Sequence, residues 1–106
     1  YEGSLEIDIA YLEKANMLPY EKILVVNATN GERLETYAIP GERGSGVFRL
    51  NGAAAHKGNV GDIVTIMSFA GFTPEEAKEH LPDIIVLNEK NEVIARRKGR
   101  KVLPLD

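Results

Sequence analysis

Residues 23–39 read ILVVNATNGERLETYAI and predict a β-hairpin. The β-branched run at 23–26 favours a buried strand. Asn30-Gly31 is typical of the turn between two strands, because both residue types tolerate a positive φ. The alternating residues from 33 to 39 predict the return strand. This hairpin is the strongest local signal in the chain, and the other predicted elements are short strands that must pair with it.

The return strand carries three polar side chains of chemical interest. Because side chains alternate along a strand, Arg33 and Tyr37 share one face and Thr36 lies on the other. A guanidinium binds a carboxylate through two parallel hydrogen bonds, and a phenol beside it can give a proton to a carbanion. Taken alone, such residues are more often a surface charge and a ring at the edge of the core.

The rest of the chain predicts further short strands and two short helices. The predicted strands are residues 5–9, 47–50, 63–69, 83–87 and 93–97. The predicted helices are residues 10–17, capped by Asp8, and a helix that starts with the capping box Thr73 to Glu76 and ends before Pro82. Residues 40–46 are predicted to form a loop. Six or so short strands with minor helices indicate a mainly β domain, which favours a closed barrel.

Composition excludes several classes of function. The 106 residues suffice for one domain, and a net charge of −3 gives no field that attracts nucleic acid. The basic run 96–101 is therefore interpreted as a solvated end. The chain has no cysteine, which excludes disulfides and thiolate sites and fits a reducing cytoplasm. Two histidines without clustered carboxylates predict no metal, and no apolar run has membrane-spanning length.

Two small-residue stretches have both a structural and a chemical interpretation. Gly3-Ser4 is most often a turn, but the Ser4 hydroxyl could also attack the Gly3 carbonyl carbon and replace the amide by an ester. Such a step needs a donor that stabilises the developing oxyanion. Residues 51–54 are either a simple turn or a nest of backbone N–H groups beside the Asn51 amide.

Together these stretches resemble the bacterial aspartate 1-decarboxylases, the pyruvoyl enzyme family of pantothenate synthesis. The stretches that carry the resemblance are Tyr1-Glu2-Gly3-Ser4, Asn30-Gly31-Glu32-Arg33, Thr36-Tyr37-Ala38-Ile39, Glu42-Arg43-Gly44-Ser45, Asn51-Gly52-Ala53-Ala54-Ala55-His56 and Val60-Gly61-Asp62-Ile63-Val64. They follow the family's order and spacing over most of residues 1–70.

The resemblance implies a double-psi β-barrel, and we expect it to form a single domain over residues 1–106. The family's N-terminal leader strand precedes Tyr1 and is absent from these residues, so we expect the barrel without it. The resemblance also implies a cytoplasmic homotetramer with active sites at the subunit interfaces. The sequence is compatible with spontaneous cleavage and with cleavage assisted by a maturation factor.

The implied reaction is the pyruvoyl-dependent decarboxylation of L-aspartate to β-alanine and CO2, which makes the protein a lyase. The implied precursor is a zymogen that cleaves itself between Gly3 and Ser4. Ser4 then becomes the covalent pyruvoyl group, the only cofactor that we expect. Its ketone would form a Schiff base with the substrate amine and accept the electrons that decarboxylation releases.

The resemblance also assigns roles to the residues around this dipeptide. Thr36 would stabilise the oxyanion during cleavage, Arg33 would bind a substrate carboxylate, and Tyr37 would protonate the intermediate after CO2 leaves. The remaining expected substrate-binding residues are Asn51, Gly52, Ala53 and Ala54.

Two other classes of function are compatible with the residues alone. A small β-barrel could use the loops at 40–46 and 51–56 to hold a ligand or partner without chemistry. Alternatively, the apolar strand 63–69 could be buried between the subunits of an oligomeric structural protein. Release of CO2 from aspartate distinguishes the enzyme from both.

Overall fold

The computed structural model describes residues 3–99 of the chain. Contacts divide the chain into two compact units, residues 1–69 and residues 70–106. Predictions that involve Tyr1, Glu2, Arg100 or Lys101 lie outside the described residues. Each unit has a sheet of its own, and a single domain over the whole chain stays a prediction.

Strands dominate the described part of the chain. The strands are β1 (Leu5–Asp8), β2 (Lys22–Asn27), β3 (Arg33–Gly41), β4 (Phe48–Leu50), β5 (Val64–Ser68), β6 (Asp83–Leu87) and β7 (Val93–Lys98). The helices are α1 (Ile9–Lys14) and α2 (Pro74–Glu79), and Gly52–Lys57 forms one 3₁₀ segment. The prediction of a mainly β fold with short helices is confirmed.

The sheet of the first unit is organised by β3. Its strand order is β4-β1-β3-β2-β5, in which β1 and β3 are parallel and the other pairs antiparallel. Residues 33–37 of β3 pair with β2, whereas residues 38–41 pair with β1. Because β3 belongs to both ladders, it carries the predicted hairpin and also brings the start of β1 beside that hairpin. This mixed sheet of short strands has the pairing of a small β-barrel.

The core of the first unit lies on one face of this sheet. Its buried residues come from β1, α1, β2 and β3 and are Leu5, Ile7, Leu12, Ile23, Val25 and Ala38. Burying each of the large aliphatic side chains stabilises the fold by about 1.5–3 kcal/mol. On β2 the buried residues alternate with half-buried ones, so the run that the sequence predicts as a buried strand enters the core on one face only.

The first helix and the hairpin turn differ from the prediction. α1 ends at Lys14 rather than Met17, because Asn16 has a φ of 56° and a left-handed residue stops an α-helix. In the hairpin only Gly31 has a positive φ, at 79°. The connection between β2 and β3 is therefore a longer loop, which Asn27 closes by accepting a hydrogen bond from the Gly31 N–H at 2.8 Å.

The predicted loop at 40–46 begins two residues later than expected. Pro40 and Gly41 extend β3 and pair with Ile7 and Asp8 of β1. Among the described residues β2 pairs with β3 only as far as Tyr37, so Pro40 lies where β3 has a single partner strand. A sheet tolerates proline at such a position, because no second strand there requires a hydrogen bond from the backbone N–H that proline lacks.

The second unit follows the prediction closely. Thr73 caps α2: its Oγ1 accepts from the Glu76 N–H at 3.2 Å, while Glu76 Oε1 accepts from the Thr73 N–H at 3.0 Å. Pro74 occupies the first helical position. β6 and β7 then form an antiparallel pair. The predicted capping box and the last hairpin are both confirmed.

Asp8 anchors the loop after β3 to the start of α1. Its carboxylate, which is only 2% exposed, accepts backbone hydrogen bonds from Ala10 at 2.8 Å, Gly44 at 3.1 Å and Gly46 at 2.9 Å. Burial is the largest single influence and would raise the pKa of Asp8, but these three donors together with Arg43 lower it overall.

We expect Asp8→Asn to lower the free energy of unfolding at pH 7 by about 1–3 kcal/mol, because an amide loses the charge-assisted bonds. The folded-state pKa lies below the unfolded value, so this stabilisation is present above about pH 4 and is lost as the pH falls through the folded pKa. Urea unfolding at several pH values measures both effects, with the exposed Glu89→Gln as control. Equal stability of Asp8→Asn and the unaltered protein at pH 7 would contradict the assignment.

Tyr20 holds a backbone conformation that suits it poorly. Its φ is 67°, whereas the other described non-glycine residues with positive φ are Asn16 and Asn91. Its side chain is 66% exposed, so little packing is lost on replacement. We expect Tyr20→Asn to stabilise the protein by about 0.5–1 kcal/mol and to raise Tm by a few degrees. A lower Tm than that of the control Leu18→Asn, an exposed position in the same loop, would contradict this expectation.

Candidate active site

Ser4 lies directly before β1 and is fully buried. Its Oγ accepts a hydrogen bond from Nδ2 of Asn51 at 3.1 Å. Its C=O accepts a second one from the Asn51 backbone N–H at 2.9 Å. These contacts continue the ladder in which Leu5 pairs with Leu50. Asn51 thus holds Ser4 at two points: its side-chain amide donates to the hydroxyl, and its backbone N–H donates to the carbonyl.

Gly3 adopts a backbone conformation that L side chains rarely adopt. Its φ is 142°, and a Cβ added there would meet no atom within 4 Å. The need for glycine is therefore conformational and not a matter of space. The Gly3-Ser4 peptide consequently joins a glycine-specific backbone to a buried hydroxyl, which a simple surface turn would not require.

An open pocket of about 380 Å³ lies against Gly3. Thr36 and Tyr37 of β3 line it, as do Ala53 and Ala54 of the 3₁₀ segment. The structure thereby brings together five predicted site residues from three separate stretches of the chain. The residues that line the pocket beside Gly3 thus include a threonine, a tyrosine and two alanines.

Four other predicted site residues do not line this pocket: Ser4, Arg33, Asn51 and Gly52. Ser4 and Asn51 contact each other beside it, and Gly52 starts the 3₁₀ segment with a φ of 59°. The residues predicted as a turn or a nest at 51–54 thus belong to a 3₁₀ segment that Asn51 precedes and that runs from Gly52 to Lys57.

Arg33 begins β3 and is exposed. Within residues 3–99 it forms no salt bridge, whereas Arg43 pairs with Glu13 and Arg49 pairs with Glu6. The guanidinium of Arg33 is therefore available to a carboxylate from outside these residues. It shares a strand face with Tyr37, as the alternation predicts.

Three pocket residues were missed by the sequence reasoning: Leu34, Glu35 and Lys57. Lys57 Nζ donates to Glu32 Oε2 at 3.0 Å. A signal for Lys57 existed, because residues three apart eclipse in a 3₁₀ helix and Ala54 lines the pocket. That signal can be used only once the 3₁₀ segment is known, and no local sequence pattern predicts this segment.

Metal-ligating groups do not cluster in the described part of the chain. No three His, Asp or Glu side chains in residues 3–99 converge so that they could hold a metal ion. In the same residues no helix has the length and apolar character needed to cross a membrane.

Known proteins are similar in sequence to this chain over most of its length. The model of the aspartate decarboxylase family matches residues 1–94. An aspartate 1-decarboxylase of Listeria monocytogenes (strain HCC23) is 60% identical over 93 residues, which cover 88% of this chain and 73% of that protein. The aspartate 1-decarboxylase of Bacillus licheniformis is 56% identical over the same shares, and that of Desulfotalea psychrophila is 50% identical over 88% and 78%.

The family model covers the Gly3-Ser4 dipeptide, the β2–β3 hairpin and the 3₁₀ segment, and these three stretches contain the residues that line the pocket. The resemblance predicted from the sequence is thereby confirmed. The chain belongs to the aspartate decarboxylase family.

Proposed function

We propose that this chain decarboxylates L-aspartate to β-alanine and CO2 in pantothenate synthesis, with a pyruvoyl group made from its own Ser4. Membership in a family of decarboxylases favours this enzyme over a binding module or an oligomeric structural protein. The observation that carries the proposal is the buried Ser4 hydroxyl, held by Asn51 and preceded by Gly3 in a glycine-specific conformation.

The precursor cleaves itself between Gly3 and Ser4. The Ser4 Oγ attacks the Gly3 carbonyl carbon, the C–N bond breaks, and the amide nitrogen takes the hydroxyl proton, so that an ester replaces the amide. Loss of the Ser4 Cα proton and cleavage of its Cβ–O bond release Gly3 as a carboxylate. Addition of water and loss of ammonia then leave the pyruvoyl group at the new terminus.

The residues around the dipeptide fit this chemistry. Thr36 lines the same pocket as Gly3 and is our candidate donor to the oxyanion that develops on the Gly3 carbonyl. Asn51 fixes the Ser4 Oγ, which limits the orientations that it must search before attack. Once formed, the pyruvoyl group supplies an electron-withdrawing ketone that takes the substrate amine and accepts the electron pair released with CO2.

The remaining predicted site residues bind and orient aspartate. Arg33 pairs with one substrate carboxylate and so decides which carboxylate lies where it can leave. Tyr37 gives a proton to the carbon that loses CO2. The backbone of Ala53 and Ala54 lines the pocket and, with Asn51, positions the substrate.

We further propose a cytoplasmic homotetramer with active sites at the subunit interfaces. The exposed position of Arg33 on the single chain fits a site that a neighbouring subunit completes. Ile63 and Phe69, the residues directly before and after β5, are 70% and 68% exposed, which fits burial against another copy. The absence of cysteine fits a reducing compartment.

Intact mass of the purified full-length protein, before and after borohydride reduction, tests the proposal. We expect a chain that starts at Ser4, is lighter by one ammonia than a free serine terminus, and gains hydrogen on reduction. It should release CO2 from aspartate. A time course of the purified protein with and without cell lysate distinguishes spontaneous from assisted cleavage. A processed, folded protein that releases no CO2 from aspartate would overturn the proposed function.

A further inference from the structure

Asn27, the last residue of β2, is a buried amide whose hydrogen-bonding groups are all used. It is 3% exposed, and its Oδ1 accepts from the backbone N–H of Thr29 at 2.9 Å and of Asn30 at 3.3 Å. Its Nδ2 donates to the Lys57 C=O at 3.2 Å and to Asp62 Oδ2 at 2.8 Å. A fully satisfied buried amide holds its partners in one arrangement.

The Lys57 carbonyl is the C-terminal end of the 3₁₀ segment. It accepts a second hydrogen bond, from Asn30 Nδ2 at 3.0 Å. Short 3₁₀ helices have poor internal hydrogen-bond geometry, so their ends depend on contacts from outside. The next residue, Gly58, leaves room for this contact, because a Cβ there would lie 3.2 Å from Asn27 Nδ2 and 3.1 Å from Leu50 Cδ1.

Asp62 sets the orientation of the Asn27 amide. Its Oδ2 accepts from Asn27 and also from the Asn59 N–H at 2.8 Å. The hydrogen bond from Asn27 and that from Asn59 lower the pKa of Asp62, so the carboxylate stays charged at neutral pH. Because a carboxylate only accepts, it selects the orientation in which Asn27 points its NH₂ group toward Lys57 and Asp62.

We propose that Asn27 and Asp62 form a positioning pair that fixes the C-terminal end of the 3₁₀ segment and thereby the pocket wall at Ala53 and Ala54. The other end of the segment is fixed by Asn51, whose amide contacts Ser4. Because both ends are held, the backbone of the 3₁₀ segment is fixed in one position relative to β3. The inference rests on the proposed function for its effect on aspartate, but its structural part stands alone.

Asn27→Asp tests the pair with almost no change of shape. The variant loses both Nδ2 donors and places a carboxylate against Asp62. In the full-length, processed protein we expect KM for aspartate to rise about tenfold, the effect of one or two lost hydrogen bonds, with a smaller change in kcat. Amide hydrogen exchange at residues 53–58 should become at least about tenfold faster.

Two further variants separate positioning from general stability. Asp62→Ala removes the acceptor and should raise KM as Asn27→Asp does. Asp62→Asn keeps an oxygen that can accept from both Asn27 and Asn59, so its KM should lie close to that of the unaltered protein. Leu12→Val removes volume from the buried core in α1, and it should lower Tm without changing KM or exchange at residues 53–58.

Each result decides the inference. Faster local exchange with raised KM in Asn27→Asp, and neither in Leu12→Val, supports the positioning pair. A lower Tm in Asn27→Asp with unchanged KM and unchanged exchange at 53–58 overturns it. If the unaltered protein releases no CO2 from aspartate, the proposed function fails, while the exchange comparison still decides whether Asn27 fixes the segment.

Discussion

Ser4→Ala is expected to leave the chain uncleaved and to reduce CO2 release from aspartate to the uncatalysed level, a loss on the order of 10⁶-fold or more. Alanine removes the only oxygen that can attack the Gly3 carbonyl from this position, so no ketone is formed. The fold should persist, because the Asn51 backbone N–H still has the residue 4 carbonyl as its acceptor. Intact mass and CO2 release measure the two effects.

The chain contains its own control for this experiment, a second glycine–serine pair at Gly44-Ser45. Gly44 also has a positive φ, at 84°. Ser45, however, is exposed, and its Oγ donates to the Glu42 carbonyl within a turn. Ser45→Ala should therefore leave cleavage and CO2 release unchanged.

Comparing Ser4→Ala with Ser45→Ala shows whether burial and the Asn51 contact, rather than the Gly-Ser dipeptide itself, select the cleavage point. A cleaved Ser4→Ala chain would refute the role of the hydroxyl. Blocked cleavage in a folded Ser45→Ala protein would refute the selection of Ser4.

The sequence predicts those parts of the fold whose signals are local. The hairpin of β2 and β3 follows from a β-branched run, a glycine turn and an alternating strand, all within residues 23–39. The capping box of α2 is equally local. The parallel pairing of β1 with β3 joins residues more than thirty positions apart, and no local pattern specifies which strands meet.

The residues of the candidate site also differ in whether the sequence predicts them. The pocket residues Thr36, Tyr37, Ala53 and Ala54 were predicted because the family resemblance assigns them, and the structure places them around one pocket. Asn27 was not predicted as a site residue, since its role depends on hydrogen-bond partners 30 and 35 positions away in the chain. A polar residue at a strand end looks like an ordinary turn residue until its distant partners are known.

Arg33→Ala should reduce kcat/KM for aspartate by about 10²–10³-fold while cleavage between Gly3 and Ser4 still proceeds. In the proposed tetramer the neighbouring subunit buries the pair between Arg33 and the substrate carboxylate. Removing one partner of a buried charge pair costs about 2–5 kcal/mol, and each 1.4 kcal/mol is a factor of ten. Within the described residues Arg33 has no salt bridge to lose, so the variant should keep its Tm. The loss should therefore appear in substrate binding and orientation rather than in folding.

Two matched variants sharpen the result. Arg33→Lys keeps the charge but loses the planar fork, so it should recover only part of the activity. Arg49→Ala removes an exposed arginine that pairs with Glu6 at 3.5 Å, and it should change kcat/KM by less than about twofold. Steady-state kinetics give KM and kcat, and intact mass gives the cleaved fraction. Uncleaved precursor in Arg33→Ala would mean that Arg33 acts in maturation, whereas unchanged kinetics would remove it from the substrate site.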